Sequence, residues 1–178
     1  MLKITLIVLA VIAVGVAGIL AIAATKPDVF TVQRNATIKA PPDKIFPLIN
    51  DFKQWGLWSP YEKIDPDMKR SYGPVTAGKG ATYAWEGNGN VGSGSMEILN
   101  APAPSQVAIK LDFMRPFEAH NVADFTLMPS GDGTTVTWAM HGPVPYQFKI
   151  VHLFMNMDKM VGGQFAEGLA NLKAAAEK

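Results

Sequence analysis

The sequence contains no cysteine. Without cysteine the protein can form no disulfide, no thiolate metal site, no cysteine nucleophile and no lipid-modified N-terminal cysteine. Both a reducing and an oxidising compartment remain open. At 178 residues, the chain is long enough for one domain of about 150 residues with a core of its own.

The sequence also has little excess charge of either sign. It carries 16 Lys and Arg against 15 Asp and Glu, and the basic residues are scattered. A nucleic-acid-binding domain needs a basic patch or stripe, so we expect no nucleic-acid partner. The only imidazoles lie far apart, with no second ligand at helical or hairpin spacing, so we expect neither a metal nor a cofactor. They are His120, His141 and His152.

Charge is absent from one long stretch, residues 4–24, which is apolar apart from Thr5 and two glycines. A helix over this stretch would be about 30 Å long, the thickness of the hydrocarbon layer. We predict an anchor over residues 1–27 and a soluble domain over residues 28–178. A cleaved signal peptide ending near Ala23 is the alternative, although secretory apolar cores are usually shorter. The short N-terminal tail favours a single-pass membrane protein with its domain on the extracytoplasmic side.

Residues 156–176 have the periodicity of a helix with one apolar face. Met157, Val161, Phe165 and Leu169 recur every four residues. Such a face must be buried against another element. Gly162 and Gly163 interrupt the pattern at a cost of about 1 kcal/mol each. They indicate either a kinked or frayed start, or room for a ligand.

The apolar face of this helix needs a sheet, and residues 79–142 supply the pattern for one. Apolar and polar residues alternate in successive runs separated by turn residues, which predicts an antiparallel meander that is dry on one side. A further strand is predicted near residues 30–39, followed by a short helix from Pro42 or Asp43. We therefore predict an α+β fold in which a curved antiparallel sheet of about six or seven strands surrounds a long C-terminal helix, preceded by one transmembrane helix.

Residues 51–61 contain four aromatic residues together with a proline and a glycine. This composition does not form a regular element. The rings must pack against something, and the open end of the sheet is the nearest surface. The loop is either a structural plug over the core or a lid whose Trp58 and Tyr61 border a pocket.

Residues 87–92 match the dinucleotide glycine fingerprint by letter but lie between two strands, so we interpret them as a hairpin. Gly92 and Gly94 indicate a strand that bends sharply. If the bend shifts the parity of the strand, Glu97 points inward, where burial would raise its pKa. Glu97 and Tyr83 are the catalytic candidates, and no established catalytic constellation is present.

The remaining candidate site is the apolar face itself. Its large and adaptable side chains are typical of a site for an apolar ligand, and equally of an ordinary core. The predicted ligand-binding residues are Trp58, Tyr61, Trp85, Met96, Phe113, Phe125, Trp138, Met140, Met157, Val161 and Phe165.

Several motifs between about residue 30 and residue 177 are shared with a known superfamily. They are residues 38–46, 51–60, Gly73-Pro74, 133–138 and, in the last helix, Phe165, Glu167, Gly168, Leu169, Leu172 and Lys173. On these motifs the chain resembles the START-like helix-grip superfamily (SRPBCC), specifically bacterial proteins of the polyketide cyclase/dehydrase or lipid-transport type. The resemblance implies a helix-grip fold with a cavity between sheet and helix, where members bind lipids, sterols, polyketides or hormones and a few catalyse cyclisation or dehydration.

These observations favour a membrane-anchored binding module for a hydrophobic small molecule or lipid. Its partners would be that ligand and the membrane, through residues 4–24. An enzyme of the cyclase, dehydratase or hydrolase type is the first alternative, using Glu97 with Tyr83 or Tyr61. The second alternative is a protein-interaction module that docks a partner through the loop from Trp55 to Tyr61 or through the outer face of the sheet.

Overall fold

The computed structural model describes residues 2–154 and 156–178, except for the side chains of Leu2 and His152. The prediction about the His152 imidazole therefore lies outside the described part. The helices are α1 (Leu2–Ala24), α2 (Pro42–Asn50), α3 (Tyr61–Ile64), α4 (Tyr146–Phe154) and α5 (Met157–Ala176), with a 3₁₀ helix at Phe52–Leu57. The strands are β1 (Val29–Ile38), β2 (Lys69–Tyr72), β3 (Thr82–Glu86), β4 (Ser93–Asn100), β5 (Gln106–Arg115), β6 (Ala119–Ser130) and β7 (Gly133–Pro143).

α1 is uncharged beyond Lys3 and has the composition of a membrane-crossing helix. Its span from Lys3 to Ala24 has a mean hydropathy of 3.0. Nearly all of its described side chains are exposed, whereas Ala23 is buried. A membrane anchor and a signal sequence share this composition.

The sheet has seven strands in the order β1-β7-β6-β5-β4-β3-β2, and every neighbouring pair is antiparallel. β2 to β7 form a meander, because each of these strands pairs with the next one along the chain. β1 pairs with β7 from Val29 opposite Pro143 to Ile38 opposite Thr134. The predicted α+β fold, a curved sheet gripping a C-terminal helix, is confirmed.

The sheet has a dry inner face and a wetter outer face because side chains alternate along each strand. On β7, Val136, Trp138 and Met140 are buried on the inner face, and Thr135 and Thr137 lie on the outer face. α5 packs on the inner face, mainly over β1, and also contacts α2 and the 3₁₀ helix. The core lies between these layers.

The predicted bend near Gly94 is present as a register shift between Ser93 and Gly94. A Cβ atom at Gly94 would lie 2.6 Å from Cζ2 of Trp85, so the close approach of this ring requires glycine. The bend does not turn Glu97 inward. Met96 is buried on the inner face, and Glu97 is exposed opposite Thr82 and Lys110. Because the shift precedes Met96, normal alternation resumes before Glu97 is reached.

α4 is an element that the sequence patterns did not predict. A helix of nine residues is too short to be stable on its own in water. Contacts with the end of α1 hold it. The Tyr146 hydroxyl donates to the Leu20 carbonyl at 2.8 Å, and the Lys149 ammonium donates to the Lys26 carbonyl at 2.8 Å. These partners are more than 100 residues away in sequence, so no local pattern reveals them.

α5 continues through both of its early glycines without interruption. The space beside Gly162 is occupied, because a Cβ atom there would meet the guanidinium of Arg34. Gly163 is exposed and has nothing within 4 Å of its Cβ position. The structure therefore corrects both interpretations of these glycines: the helix neither frays nor leaves ligand space there.

Candidate functional site

Five rings fill the centre of the inner face and form what we call the aromatic cluster: Trp55, Trp58, Phe125, Trp138 and Phe165. The rings of Trp138 and Phe165 stack with centroids 4.0 Å apart, and Phe125 stacks on Trp138 at 4.9 Å. Trp58 meets Trp138 edge-on at 5.5 Å. All five side chains are buried. This cluster occupies the space in which the sequence predicted the middle of a cavity.

Trp55 in the 3₁₀ helix and Trp58 directly after it also complete the end of α2. The last carbonyls of a helix have no partner within it. Trp58 Nε1 donates to the Leu48 carbonyl at 2.8 Å, and Trp55 Nε1 donates to the Ile49 carbonyl at 2.9 Å. The loop therefore plugs the core, which is the first of the two interpretations. Trp58 is packed inside and does not belong to a lid.

The predicted ligand-binding residues divide into two groups by exposure. One group is fully packed in the core: Trp58, Met96, Phe125, Trp138, Met140 and Phe165. The other group is only half-buried: Tyr61, Trp85, Phe113, Met157 and Val161. The side chains of the second group border the core and keep part of their surface exposed.

Most of the half-buried residues lie at one end of the inner face. Leu111 joins them, and the strand register places it between Met96 and Asn121. The Asn121 side chain packs against Gly142, which pairs with Phe30. The first turn of α5 is the part of that helix nearest this end, since its Asp158 is bonded to Arg34 of β1 whereas its Glu177 is bonded to Lys39. We call this region the open end of the inner face, defined by Trp85, Leu111, Phe113, Met157 and Val161.

Few polar groups face the interior. Trp138 Nε1 is buried and has no acceptor among the described residues. Such a donor is costly to leave unpaired. Tyr61 lies over Trp138 with ring centroids 6.5 Å apart, and burial raises the pKa of its hydroxyl. The phenol is therefore neutral at physiological pH and keeps its proton as a hydrogen-bond donor.

Tyr83, one of the two catalytic candidates, belongs to a closed network. Its hydroxyl donates to Glu62 Oε1 at 2.7 Å, and Arg70 Nε donates to Glu62 Oε2 at 2.6 Å. Burial first, and then the bond to Glu62, raise the pKa of Tyr83. Both oxygens of the carboxylate are engaged, so the network ties α3 to β2 and β3. The sequence missed Glu62 because its partners are 8 and 21 residues away, a spacing with no local signal.

Glu97, the other candidate, is exposed on the outer face, whereas the Tyr83 hydroxyl is bonded to Glu62. It borders a shallow depression of about 350 Å³ over β2 to β5, and a second of about 370 Å³ lies over β5 to β7. Lys110 and Asp112 border both. Among the described residues, no group of three or more His, Asp or Glu side chains could hold a metal ion.

The outer-face histidines pair with carboxylates. His120 Nδ1 lies 2.8 Å from Asp112, and His141 Nδ1 lies 3.6 Å from Asp124. Hydrogen bonds from Lys110 and His120 lower the pKa of Asp112, and the bond with Asp112 raises the pKa of His120. The side chains of both histidines are exposed and lie away from the core.

The architecture defines the class of protein: a curved seven-stranded sheet that grips a C-terminal helix is the helix-grip fold. Residues 29–177 match the family described as polyketide cyclase / dehydrase and lipid transport. The chain belongs to this family, which confirms the resemblance found in the sequence. No curated protein matches the chain.

Solved structures with the same fold come from bacteria and plants. Protein CV1439 from Chromobacterium violaceum has a TM-score of 0.58 at 14% identity, covering 86% of this chain and 99% of that chain. Protein MLL2253 from Mesorhizobium loti has a TM-score of 0.58 at 21% identity, covering 82% and 98%. Ginseng major latex-like protein 151 from Panax ginseng has a TM-score of 0.58 at 12% identity, covering 85% and 100%. At these identities the likeness shows the fold alone.

Proposed function

We propose that this protein is a membrane-tethered binding module that takes a hydrophobic small molecule or lipid at the open end of its inner face. The observation that carries the proposal is the half-buried state of Trp85, Leu111, Phe113, Met157 and Val161 on a concave apolar surface. Apolar side chains that are left partly exposed at the mouth of a fold are typical of ligand sites. The family description, which includes lipid transport, supports the same ligand class.

The aromatic cluster limits the shape of the ligand. Because Trp58, Trp138 and Phe165 fill the centre, a ligand occupies the end of the inner face rather than its whole length. An extended acyl chain or a small flat hydrocarbon suits such a site better than a bulky polycyclic molecule. The unpaired Trp138 N–H favours a ligand with one hydrogen-bond acceptor that reaches inward.

The tether is α1. Its exposed apolar side chains are stable in a bilayer and unfavourable in water. In this proposal residues 1–27 form the anchor, residues 28–178 form the binding domain, and the domain is extracytoplasmic. A tether of this kind keeps the site beside the bilayer that supplies an apolar ligand.

The test compares lipid retained by the full chain purified in mild detergent, measured by native mass spectrometry. Phe113→Asp and Val161→Asp place a carboxylate at the open end and should lower retained ligand at least about tenfold, a change of about 1.4 kcal/mol. Met128→Asp is the matched control, because Met128 is exposed on the outer face. All variants keep α1, so lipid bound by the anchor is the same in each.

Wild type and the Met128 control should retain equal amounts. Equal retention by all four proteins would mean that the lipid belongs to α1 alone, and the binding proposal would then be wrong. Urea unfolding of each variant, followed by tryptophan fluorescence, shows whether the domain is folded during the comparison.

A further inference from the structure

A row of exposed apolar side chains lies beside α4. Phe117, in the β5–β6 turn, is 67% exposed, and Phe154 at the end of α4 is 77% exposed. Val151 is also exposed. The rings of Phe117 and Phe148 touch with centroids 6.1 Å apart, which joins the turn to the helix. Phe148, Val151 and Phe154 recur every three residues and therefore share one side of α4. We call these four residues the α4 surface.

Contacts between α4 and the end of α1 fix the position of α4 along the axis of α1. Tyr146, the first residue of α4, donates its hydroxyl to the carbonyl of Leu20 at 2.8 Å. Leu20 lies one helical turn, about 6 Å, before the end of α1. Lys149 then binds the Lys26 carbonyl at 2.8 Å and the Asp28 carboxylate at 2.6 Å. These contacts hold the first turn of α4 level with the last turn of α1 and with the segment that follows it.

We propose that the α4 surface docks on the lipid bilayer, so that the protein meets the membrane through its folded domain as well as through α1. This inference rests on the proposed tether. If α1 spans the bilayer, its last turn lies at the boundary between the acyl chains and the headgroups, and the first turn of α4 is held at the same depth. A helix there buries apolar side chains about 5–10 Å into the boundary. Tyrosine at this level is typical of membrane interfaces.

The same end of the sheet carries the open end of the inner face. β1 begins there at Val29 and β7 ends there at Pro143, opposite each other in the register. Phe113 of the open end lies four residues before Phe117 of the α4 surface. Docking through α4 therefore places the open end next to the bilayer. An apolar ligand then passes between membrane and site over a short path that avoids water.

The test uses the absence of native cysteine. Single cysteines are introduced into the full chain as Phe117→Cys and Phe154→Cys, labelled with the fluorophore NBD, and reconstituted into phosphatidylcholine vesicles. Met128→Cys is the matched control, since Met128 is similarly exposed but lies on the outer face. Val11→Cys, near the middle of α1, marks the hydrocarbon core. Quenching is measured with aqueous iodide and with nitroxide-labelled lipids.

Probes at 117 and 154 should be quenched by shallow nitroxide lipids, with iodide quenching about threefold weaker than at 128. Val11 should respond only to deep nitroxide lipids. If the probe at residue 11 is shielded from iodide but iodide quenches the probes at 117 and 154 as strongly as the probe at 128, the docking proposal is wrong and the tether proposal stands. If Val11 itself is open to iodide, both the tether and the docking surface are wrong. Lipid retention by the open end is measured in a separate experiment. The ligand-binding proposal can therefore fail while the tether and docking proposals both stand.

Adding Phe117→Asp to the Phe154→Cys protein supplies a second measurement. A carboxylate is expensive to bury among acyl chains, so the iodide response at 154 should rise about threefold. Met128→Asp in the same background should leave it unchanged. If Phe117→Asp left the iodide quenching at residue 154 unchanged, residues 117 and 154 would not belong to one docking surface.

Discussion

The guanidinium of Arg34 on β1 holds the carboxylate of Asp158 on α5 with two hydrogen bonds, at 2.7 and 2.9 Å. It reaches that carboxylate across the space that Gly162 leaves free. The pair raises the pKa of Arg34 and lowers that of Asp158. It connects the first turn of α5 to the middle of β1, where Arg34 lies opposite Trp138.

Replacing the two glycines of α5 separately should give different results. Alanine is favoured over glycine within a helix by about 1 kcal/mol. Gly163→Ala should raise the free energy of unfolding by about this amount, because nothing lies within 4 Å of its Cβ position. Gly162→Ala should gain less, because the methyl group displaces the Arg34 side chain from Asp158. Urea unfolding of the full chain in detergent measures both.

A double variant isolates the cause of that difference. In an Arg34→Met background the ion pair is already absent, so Gly162→Ala should recover most of the gain seen at Gly163. If Gly162→Ala and Gly163→Ala stabilise the native protein equally, the space beside Gly162 is not needed by Arg34.

Gly168 should tolerate alanine poorly. A Cβ atom there would lie 2.7 Å from Cζ3 of Trp138 and 3.0 Å from Cδ of Pro60. Trp138 is stacked between Phe165 and Phe125, so its ring has little freedom to move. Overpacking of this kind costs about 1–3 kcal/mol, which exceeds the gain in helix propensity. Gly168→Ala should therefore lower the urea midpoint. A midpoint raised as much as by Gly163→Ala would show that the aromatic cluster is loosely packed.

Tyr83→Phe should weaken the fold through the Glu62 network. The substitution removes the donor 2.7 Å from Glu62 Oε1 and leaves a mostly buried carboxylate oxygen without it. The expected loss is about 1–3 kcal/mol of unfolding free energy. Tyr72→Phe is the control on the neighbouring strand, and its ring is 39% exposed. Lipid retention should be the same in both variants, and a selective loss with Tyr83→Phe would instead place its hydroxyl at the ligand.

His120 should titrate above the ordinary histidine pKa of about 6.5, because the Asp112 carboxylate favours its charged form. The folded-state pKa is raised, so this contribution to stability is fully present below the unfolded pKa and is lost as the pH rises through the raised value. Asp112 behaves in the opposite sense: its pKa is lowered, and its contribution is lost as the pH falls through that value.

NMR titration of the imidazole tests this relationship. Asp112→Asn should return the His120 pKa toward its ordinary value. Glu118→Gln should change it less, since Glu118 is 3.4 Å from the ring and Asp112 is 2.8 Å. The opposite order of the two effects would mean that Glu118 is the main partner.

Strand alternation in the sequence identified the sheet correctly because the inner residues of each strand are also the core residues. Val136, Trp138 and Met140 illustrate the rule, and all three are buried. The same alternation places Glu97 on the outer face, and the bend at Gly94 has no effect beyond its own pair of residues. The helical stripe from Met157 to Leu172 likewise identified α5.

Local patterns were insufficient where a residue acts on a distant partner. The two indoles that cap α2, the Glu62 network and the filling of the centre by Trp58 depend on contacts across the chain. The apolar residues of a sequence do not show whether a core is filled or a surface is open, because both contain the same residue types. Only the exposed fractions separate Phe165 from Phe113 within one predicted set.

The sequence by itself determined the apolar first helix, the antiparallel sheet and the terminal helix, because each follows from periodicity and turn chemistry within a short window. The family came from the resemblance of named motifs and was confirmed by the family match. The tertiary structure alone decided where the apolar surface stays open, why Gly162 is a glycine, and that α4 lies beside the end of α1. Those features depend on side chains that are distant in sequence and meet only when the sheet has curved around α5.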